Sequence, residues 1–179
     1  MENKCKKNIL LIGFMGVGKT TIGKLLAQKL NRKFIDIDEE IEREFDMPVS
    51  QIFKNIGEKA FREREKELIA SLTEKQLKII SVGGGAFLQQ EIRQLCLASS
   101  IVIFLDLSFE GWKDRIDLII VSRPVLHGKS IEEMEKLFYN RQEIYANHHL
   151  KIASDNKDAE EIADEIVRKL IVDVDILCY

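Results

Sequence analysis

The amino-acid sequence predicts one α/β domain whose β-sheet is parallel and lies between layers of helices. Short apolar segments alternate along the chain with segments that carry apolar residues at helical spacing. The strand segments also lack polar alternation, which is typical of strands buried on both faces of a parallel sheet. Strands and helices in this order are joined by right-handed crossovers, so we expect helices on both faces.

The predicted elements follow in chain order and form a single domain over residues 1–179, because no repeat or linker divides the chain. The strands are KNILLIG (7–13), KFIDID (33–38), LKIISVG (77–83), SIVIFLD (100–106) and HLKIAS (149–154). The helices span 18–30, 57–72, 130–146 and 158–171. Ser154 or Asp155 is the expected cap of the last helix. The final segment, IVDVDILCY, either ends that helix or forms a short extra strand.

Composition and charge argue against several classes of protein. Hydrophobic residues make up 45% and charged residues 32%, and a net charge of −3 disfavours nucleic-acid binding. No apolar run reaches the ~20 residues of a membrane span, so no membrane partner is expected. The widely spaced cysteines Cys5, Cys96 and Cys178 match no zinc spacing and suit a reducing compartment. Without a secretory signal at the start, we expect a cytoplasmic location.

The segment GFMGVGKTT, residues 13–21, predicts a phosphate-binding loop between the first strand and the first helix. Its pattern Gly13-x-x-x-x-Gly18-Lys19-Thr20 is the P-loop motif. Glycines let backbone N–H groups point into one concavity, and the following helix adds its positive amino end. Lys19 would follow the phosphates and Thr20 would bind Mg²⁺. The motif predicts bound ATP or GTP, and a glycine turn without a ligand is the structural alternative.

Two aspartates in FIDID, Asp36 and Asp38, lie on or just past the second strand. On a strand, this spacing puts both carboxylates on the same side, at the end of the sheet where ligands bind. One can hold Mg²⁺, and the other can bind or deprotonate an acceptor hydroxyl. Alternatively, both cap the helix DEEIEREF that follows. Asp106, at the end of SIVIFLD, competes with Asp36 for the metal.

A second set of residues predicts an anionic acceptor. Arg62 in GEKAFRERE and Arg141 in NRQEIY each offer a planar guanidinium that fits a carboxylate bidentately. The alternative for each arginine is a solvated or ion-paired side chain on a charged helix. Gly83, Gly84 and Gly85 follow the third strand and cost backbone entropy. They indicate either a substrate pressed against the main chain or a tight turn.

Residues 112–128 are the predicted lid, a segment that closes over the triphosphate and excludes water. Arg123, followed by Pro124, would neutralise charge that develops during transfer. Arg115 is left out of the catalytic set because its spacing from Arg123 does not assign it. The run Leu118–Val121 is unusually apolar for a solvated flap. It either packs on the core in the closed state or contacts another molecule.

In their order along the chain, these segments resemble the shikimate kinase family over nearly the whole length: GFMGVGKTT, FIDID, GEKAFRERE, SVGGGAF, SRPVL and RQEIY. The resemblance implies a three-layer α/β/α P-loop NTPase fold with a five-stranded parallel sheet. It also implies an ATP-dependent phosphotransferase acting on the 3-hydroxyl of shikimate, a step toward chorismate and the aromatic amino acids. The expected cofactor is Mg²⁺, the expected partners are ATP and shikimate, and the expected state is a monomer.

The resemblance assigns roles to individual residues. The implied catalytic residues are Lys19, Asp38, the favoured base, and Arg123. ATP would be bound by the phosphate loop, the lid and a residue near adenine: Gly16, Val17, Gly18, Lys19, Thr20, Thr21, Arg123 and Lys157. Shikimate would be bound by a base, two arginines on its carboxylate and main chain: Asp38, Arg62, Arg141, Gly83, Gly84 and Gly85. Thr20 and Asp36 would hold the metal.

Two other functions stay open from the sequence. A gluconate kinase would keep the phosphate loop and the lid, but a neutral polyol end would not require both Arg62 and Arg141. A nucleotide-dependent switch that recognises guanine would carry an Asn-Lys-x-Asp element. The segment DNKDA instead has Asp158 directly after Lys157.

Overall fold

The structure, a computed structural model, describes residues 6–120 and 126–177, apart from the side chains of residues 118 and 173–177. Within these residues the strands are β1 (Asn8–Ile12), β2 (Lys33–Asp36), β3 (Lys78–Ser81), β4 (Ser100–Asp106) and β5 (Leu150–Ala153). All are parallel and form one sheet in the order β2–β3–β1–β4–β5. The predicted fold is thus confirmed.

Helices flank this sheet and connect its strands. In chain order they are α1 (Lys19–Leu30), α2 (Ile37–Phe45), α3 (Val49–Asn55), α4 (Glu58–Thr73), α5 (Gln90–Ser99), α6 (Phe109–Lys113), α7 (Ile116–Ile119), α8 (Ile131–Tyr145) and α9 (Ala159–Leu177). A 3₁₀ turn spans Ala86–Leu88. Within the described part of the chain, no helix is both long and apolar enough to cross a membrane.

The core is centred on β1, whose five residues are all buried. Because successive side chains of a strand point to opposite faces, the sheet is covered on both sides at its centre. Asn8 is the polar member of this strand. Its amide donates to the carbonyls of Leu72 and Lys75, at 2.9 and 2.8 Å, and accepts from the Lys78 amide at 3.0 Å. These bonds satisfy the buried amide and fix the connection from α4 to β3.

An aromatic cluster joins the end of β1 to α6, where the predicted lid begins, and to α8, which follows it. The Phe14 ring packs edge-on against Trp112 and Phe138, with centroids 5.2 and 5.0 Å apart. Phe109 stacks on Trp112 at 5.6 Å. Since Phe14 lies within the phosphate loop, this cluster ties that loop to α6 and α8.

Several predicted boundaries are wrong for identifiable reasons. The second strand ends at Asp36, because Asp36 caps α2 by accepting from the amides of Asp38 and Glu39. Neither Ser154 nor Asp155 caps the last helix. Asp158 does so, through reciprocal bonds with Glu161 that form a capping box. Asp155 instead accepts from the amide of Ser108 at 3.0 Å.

The final segment continues the last helix instead of forming an extra strand, since α9 extends to Leu177. The sequence prediction also omitted α3, α5 and the short helices α6 and α7. These helices have few turns, so their hydrophobic periodicity is weak.

Candidate active site

The phosphate loop connects β1 to α1 and surrounds a cavity of about 170 Å³. Gly16 and Gly18 adopt positive φ angles of 80° and 100°, a conformation that L side chains rarely adopt. The Lys19 ammonium donates to the carbonyls of Gly13 and Phe14, at 2.9 and 3.1 Å. The loop contributes Met15, Gly16, Gly18, Lys19, Thr20 and Thr21 to the cavity wall. The geometry is that of an anion site at the amino end of a helix.

Asp36 both caps α2 and contacts the phosphate loop. Its Oδ2 accepts from the Thr20 hydroxyl at 2.7 Å, while Oδ1 accepts from the first amides of the helix. One oxygen contacts the phosphate loop and the other caps the helix. Helix capping by Asp36 is therefore compatible with its predicted role as a metal ligand. The competitor Asp106 lies elsewhere, with its carboxylate 2.7 Å from the Lys151 ammonium. A hydroxyl and a carboxylate side by side at the phosphate site are ligands that suit Mg²⁺.

Asp38 reaches the site from the first turn of α2, so the predicted strand alternation does not explain its position. An ideal Cβ on Gly83 would lie 2.8 Å from its Oδ1. The carboxylate thus rests against the main chain at the end of β3. Asp38 lines the phosphate cavity and also a second, larger cavity beside it.

The second cavity has a volume of about 300 Å³, at the lower end of the range for small-molecule sites. Its walls combine apolar side chains with convergent charges: Met15, Val49, Phe53, Phe61, Asp38, Glu58, Arg62, Glu65 and Arg141, with the main chain of Gly83, Gly84 and Gly85. Both predicted substrate arginines, the predicted base and the glycine triplet therefore lie at one cavity.

Arg62 is held in place by carboxylates of its own helix. Its guanidinium bonds to Glu65 at 2.8 Å and to Glu58 at 3.2 Å, and it lies over the rings of Phe53 and Phe61. Burial lowers the pKa of Arg62, but the two carboxylates outweigh burial and raise it. Arg62 is therefore a fixed cation at the wall of the cavity.

Glu65 is the carboxylate that the sequence analysis missed. It is completely buried, and among the described residues its Oε1 has no hydrogen-bond partner. Burial raises its pKa to about 7, and Arg62 opposes that effect only in part. Its position three residues after Arg62 puts both on one helix face, and that spacing was the available signal.

Arg141 lies on α8, on the other side of the cavity. Its guanidinium is 5.6 Å from the centroid of Phe14, and burial lowers its pKa. Among the described residues its Nε has no hydrogen-bond partner and no carboxylate pairs with it. The alternative of an ion pair with a neighbouring glutamate is therefore not seen. The arrangement leaves a desolvated cation facing the cavity.

The glycine triplet is required by space rather than by backbone conformation. A Cβ on Gly85 would lie 2.4 Å from the Arg62 guanidinium, and one on Gly84 would lie 3.3 Å from the Tyr145 hydroxyl. None of the three has a positive φ. Side chains of the same chain therefore approach this main chain more closely than a Cβ would allow, and the predicted contact with a substrate stays a prediction.

The predicted lid is described on either side of residues 121–125. Trp112 is buried and its indole N–H donates to the Met15 carbonyl at 2.8 Å. In α7, the Ile119 side chain occupies the space where a Cβ on Gly16 would lie. The apolar run thus packs on the phosphate loop, at least through Ile119. Arg123 lies outside the described residues, and its predicted role stays a prediction.

Lys157 is in contact with the last helix. Its ammonium donates to the Ala153 carbonyl at 2.9 Å and to Glu165 at 2.6 Å. Its predicted place near adenine stays a prediction. The other predicted ATP and substrate residues within the described chain border one of the two cavities, except Val17, which is buried beneath the loop.

Comparison with known proteins gives the same assignment over most of the chain. The family model described as shikimate kinase matches residues 15–171. The shikimate kinase of Bacillus licheniformis is 58% identical over 165 residues, which cover 92% of this chain and 93% of that protein. The shikimate kinase of Oceanobacillus iheyensis is 54% identical over 171 residues, covering 96% and 93%.

Solved structures agree. Shikimate kinase from Acinetobacter baumannii in complex with shikimate superposes with a TM-score of 0.86 at 33% identity, covering 94% of each chain. The phosphate loop, the cavity with two arginines and these matches lead to one conclusion: the chain belongs to the shikimate kinase family.

Proposed function

We propose that this chain transfers the γ-phosphoryl group of ATP to the 3-hydroxyl of shikimate, the reaction of its family. One observation carries the proposal. The phosphate cavity and the cavity with the two arginines share the wall formed by Met15, Asp38, Gly83 and Gly84. A phosphoryl donor in one cavity and an acceptor in the other would therefore meet at this common wall.

On the donor side, the amides of the phosphate loop and the Lys19 ammonium would bind the β- and γ-phosphates. Thr20 and Asp36 would hold Mg²⁺, with the remaining ligands from phosphate and water. The described residues include no cluster of three metal-ligating His, Cys, Asp or Glu side chains, which fits a metal that arrives with the nucleotide. When bound, Mg²⁺ would neutralise phosphate charge.

On the acceptor side, Arg62 and Arg141 would bind the carboxylate of shikimate from opposite walls. Arg62 is already paired with Glu65 and Glu58, whereas Arg141 is desolvated. An incoming anion would therefore stabilise the charge of Arg141 more than that of Arg62. The apolar side chains Val49, Phe53 and Phe61 would cover the ring. Asp38, which lines both cavities, would accept the proton of the attacking hydroxyl.

Other roles complete the proposal. Arg123 would close over the transferring phosphoryl group, because the segment before it already packs on the phosphate loop through Ile119. Lys157 would lie near adenine. We further propose a monomeric enzyme in the cytoplasm.

The experiment is a coupled assay of ADP release with Mg²⁺ and ATP, comparing shikimate with gluconate and with no acceptor. We expect shikimate-dependent turnover well above the rate without acceptor, and gluconate no better than buffer. Turnover with gluconate but not with shikimate would contradict the assigned acceptor. Equal binding of GTP and ATP with no acceptor used would favour the nucleotide switch.

A further inference from the structure

Tyr145 connects two elements of the acceptor cavity through one hydroxyl. It is the last residue of α8 and is completely buried, with its ring tilted against Phe104 of β4 at 5.6 Å between centroids. Its hydroxyl donates to the Gly84 carbonyl at 2.8 Å. Burial raises the pKa of Tyr145 to about 12, so the hydroxyl keeps its proton and stays a donor.

This bond orients the peptide between Gly84 and Gly85. Within the described residues all peptide bonds are trans, and in a trans peptide the C=O and N–H groups point in opposite directions. With the Gly84 carbonyl turned to Tyr145, the Gly85 amide faces the other way. Among the described residues that amide has no acceptor. Gly85 borders the cavity directly beside the Arg62 guanidinium.

The same hydroxyl also contacts Arg141, which lies one helical turn earlier on α8. A tyrosine hydroxyl has one proton to donate and lone pairs to accept with. Tyr145 can therefore donate to Gly84 and accept from Arg141 together. Gly84 lies beside both groups, since a Cβ there would be 3.3 Å from the hydroxyl and 3.5 Å from Arg141 Nη1.

We propose that Tyr145 is a positioning residue that aligns the Gly85 amide and the Arg141 guanidinium on the carboxylate of shikimate. The inference rests on the proposed role of Arg141 as a carboxylate-binding residue. Tyr145 itself does not touch the substrate, and it acts through the direction of one peptide and one guanidinium. Its effect is therefore specific for the anionic group of the acceptor.

The test is Tyr145→Phe, which removes one oxygen and keeps the buried ring. The matched control is Tyr139→Phe on the same helix, where the side chain is 55% exposed and its hydroxyl has no hydrogen bond within the described chain. Calorimetry measures the Kd of shikimate, of its uncharged methyl ester and of Mg·ATP for the wild type and both variants. Thermal unfolding checks that each variant is folded.

For Tyr145→Phe we expect the Kd of shikimate to rise about tenfold, because a buried carbonyl and a guanidinium lose their common partner. The Kd of the methyl ester and of Mg·ATP should change by less than about threefold, and Tyr139→Phe should behave as the wild type. An equal loss for shikimate and its ester would assign Tyr145 a purely structural role. A shikimate Kd within about twofold of the wild type would overturn the proposal.

A measurement on the wild type covers the case in which the variant does not fold. The amide resonance of Gly85 should shift when shikimate is added and much less with the methyl ester. A resonance that stays in place with both ligands contradicts the inference. If the wild type binds no shikimate at all, the proposed function itself fails, and that result is visible without any variant.

Discussion

Glu65 provides the most quantitative prediction, because a buried carboxylate makes folding depend on pH. It lies under Arg62 with one oxygen unpaired among the described residues, and Glu58 and Asp38 also face it. Replacing Glu65 with Gln keeps the shape and an oxygen that can accept from Arg62, but removes the proton equilibrium. The comparison of wild type and Glu65→Gln thus isolates one ionisation.

The magnitude follows from the raised pKa of Glu65, about 7 in the folded chain against 4.5 for the ordinary group. Below pH 4.5 both the folded and the unfolded chain hold the proton. Between these values only the folded chain holds it, so folding takes up a proton and is disfavoured as pH rises. One unit of pKa difference corresponds to about 1.4 kcal/mol, so this group should cost about 3 kcal/mol of stability by neutral pH.

The assay is urea denaturation of both proteins at several values between about pH 4.5 and 7.5, with fixed ionic strength. The free energy of unfolding of the wild type should fall relative to Glu65→Gln by about 3 kcal/mol across this range. Glu63→Gln is the matched control on the same helix, and its exposed side chain should make it follow the wild-type curve. A difference between wild type and Glu65→Gln that stays constant within about 0.5 kcal/mol would refute the reasoning.

Three further predictions concern the donor and acceptor sites. Trp112→Phe keeps an aromatic ring but leaves the Met15 carbonyl unpaired, so the Kd of Mg·ATP should rise about tenfold by calorimetry while the Kd of shikimate stays within about twofold. Arg62→Ala should raise the KM of shikimate about 100-fold and leave the affinity for ATP nearly unchanged in steady-state assays. Asp36→Asn still caps α2, so thermal stability should hold, but half-maximal activity should need about tenfold more Mg²⁺ in a metal titration. Each prediction is contradicted if the affinity for the other ligand changes instead, or if thermal stability is the only property that changes.

The sequence was sufficient for the fold because the strands that make the sheet are short, apolar and separated by longer helices. All five strand segments and the four long helices are present within the described residues. The predicted helix boundaries were wrong where two side chains of nearly equal capping ability are close in sequence. Asp155 and Asp158 both suit a helix start, and only the tertiary contact of Asp155 with Ser108 decides between them.

At the site, the sequence predicted residues whose type and spacing are set by the ligand. It missed residues whose role depends on burial. The spacing of glycines, Lys19 and Thr20 is fixed by the shape of a phosphate, so the motif alone indicates the ligand. Glu65 stands in a helix with many charged residues, and its spacing from Arg62 indicates a pair on one helix face but not that Glu65 is buried. Tyr145 is likewise defined by what its hydroxyl reaches across 61 positions of the chain.

The wall between the two cavities gives a physical reason for the glycine at position 83, where the proposed donor and acceptor sites meet. Transfer requires the attacking oxygen and the phosphorus to approach within about 3.5 Å, which leaves no room for a side chain between them. A Cβ on Gly83 would already lie 2.8 Å from the Asp38 carboxylate, and that carboxylate is the proposed base. A side chain at position 83 would therefore push this carboxylate away from the shared wall. Under the proposed function this glycine would serve the reaction, since the backbone at this position has no positive φ that would itself demand glycine.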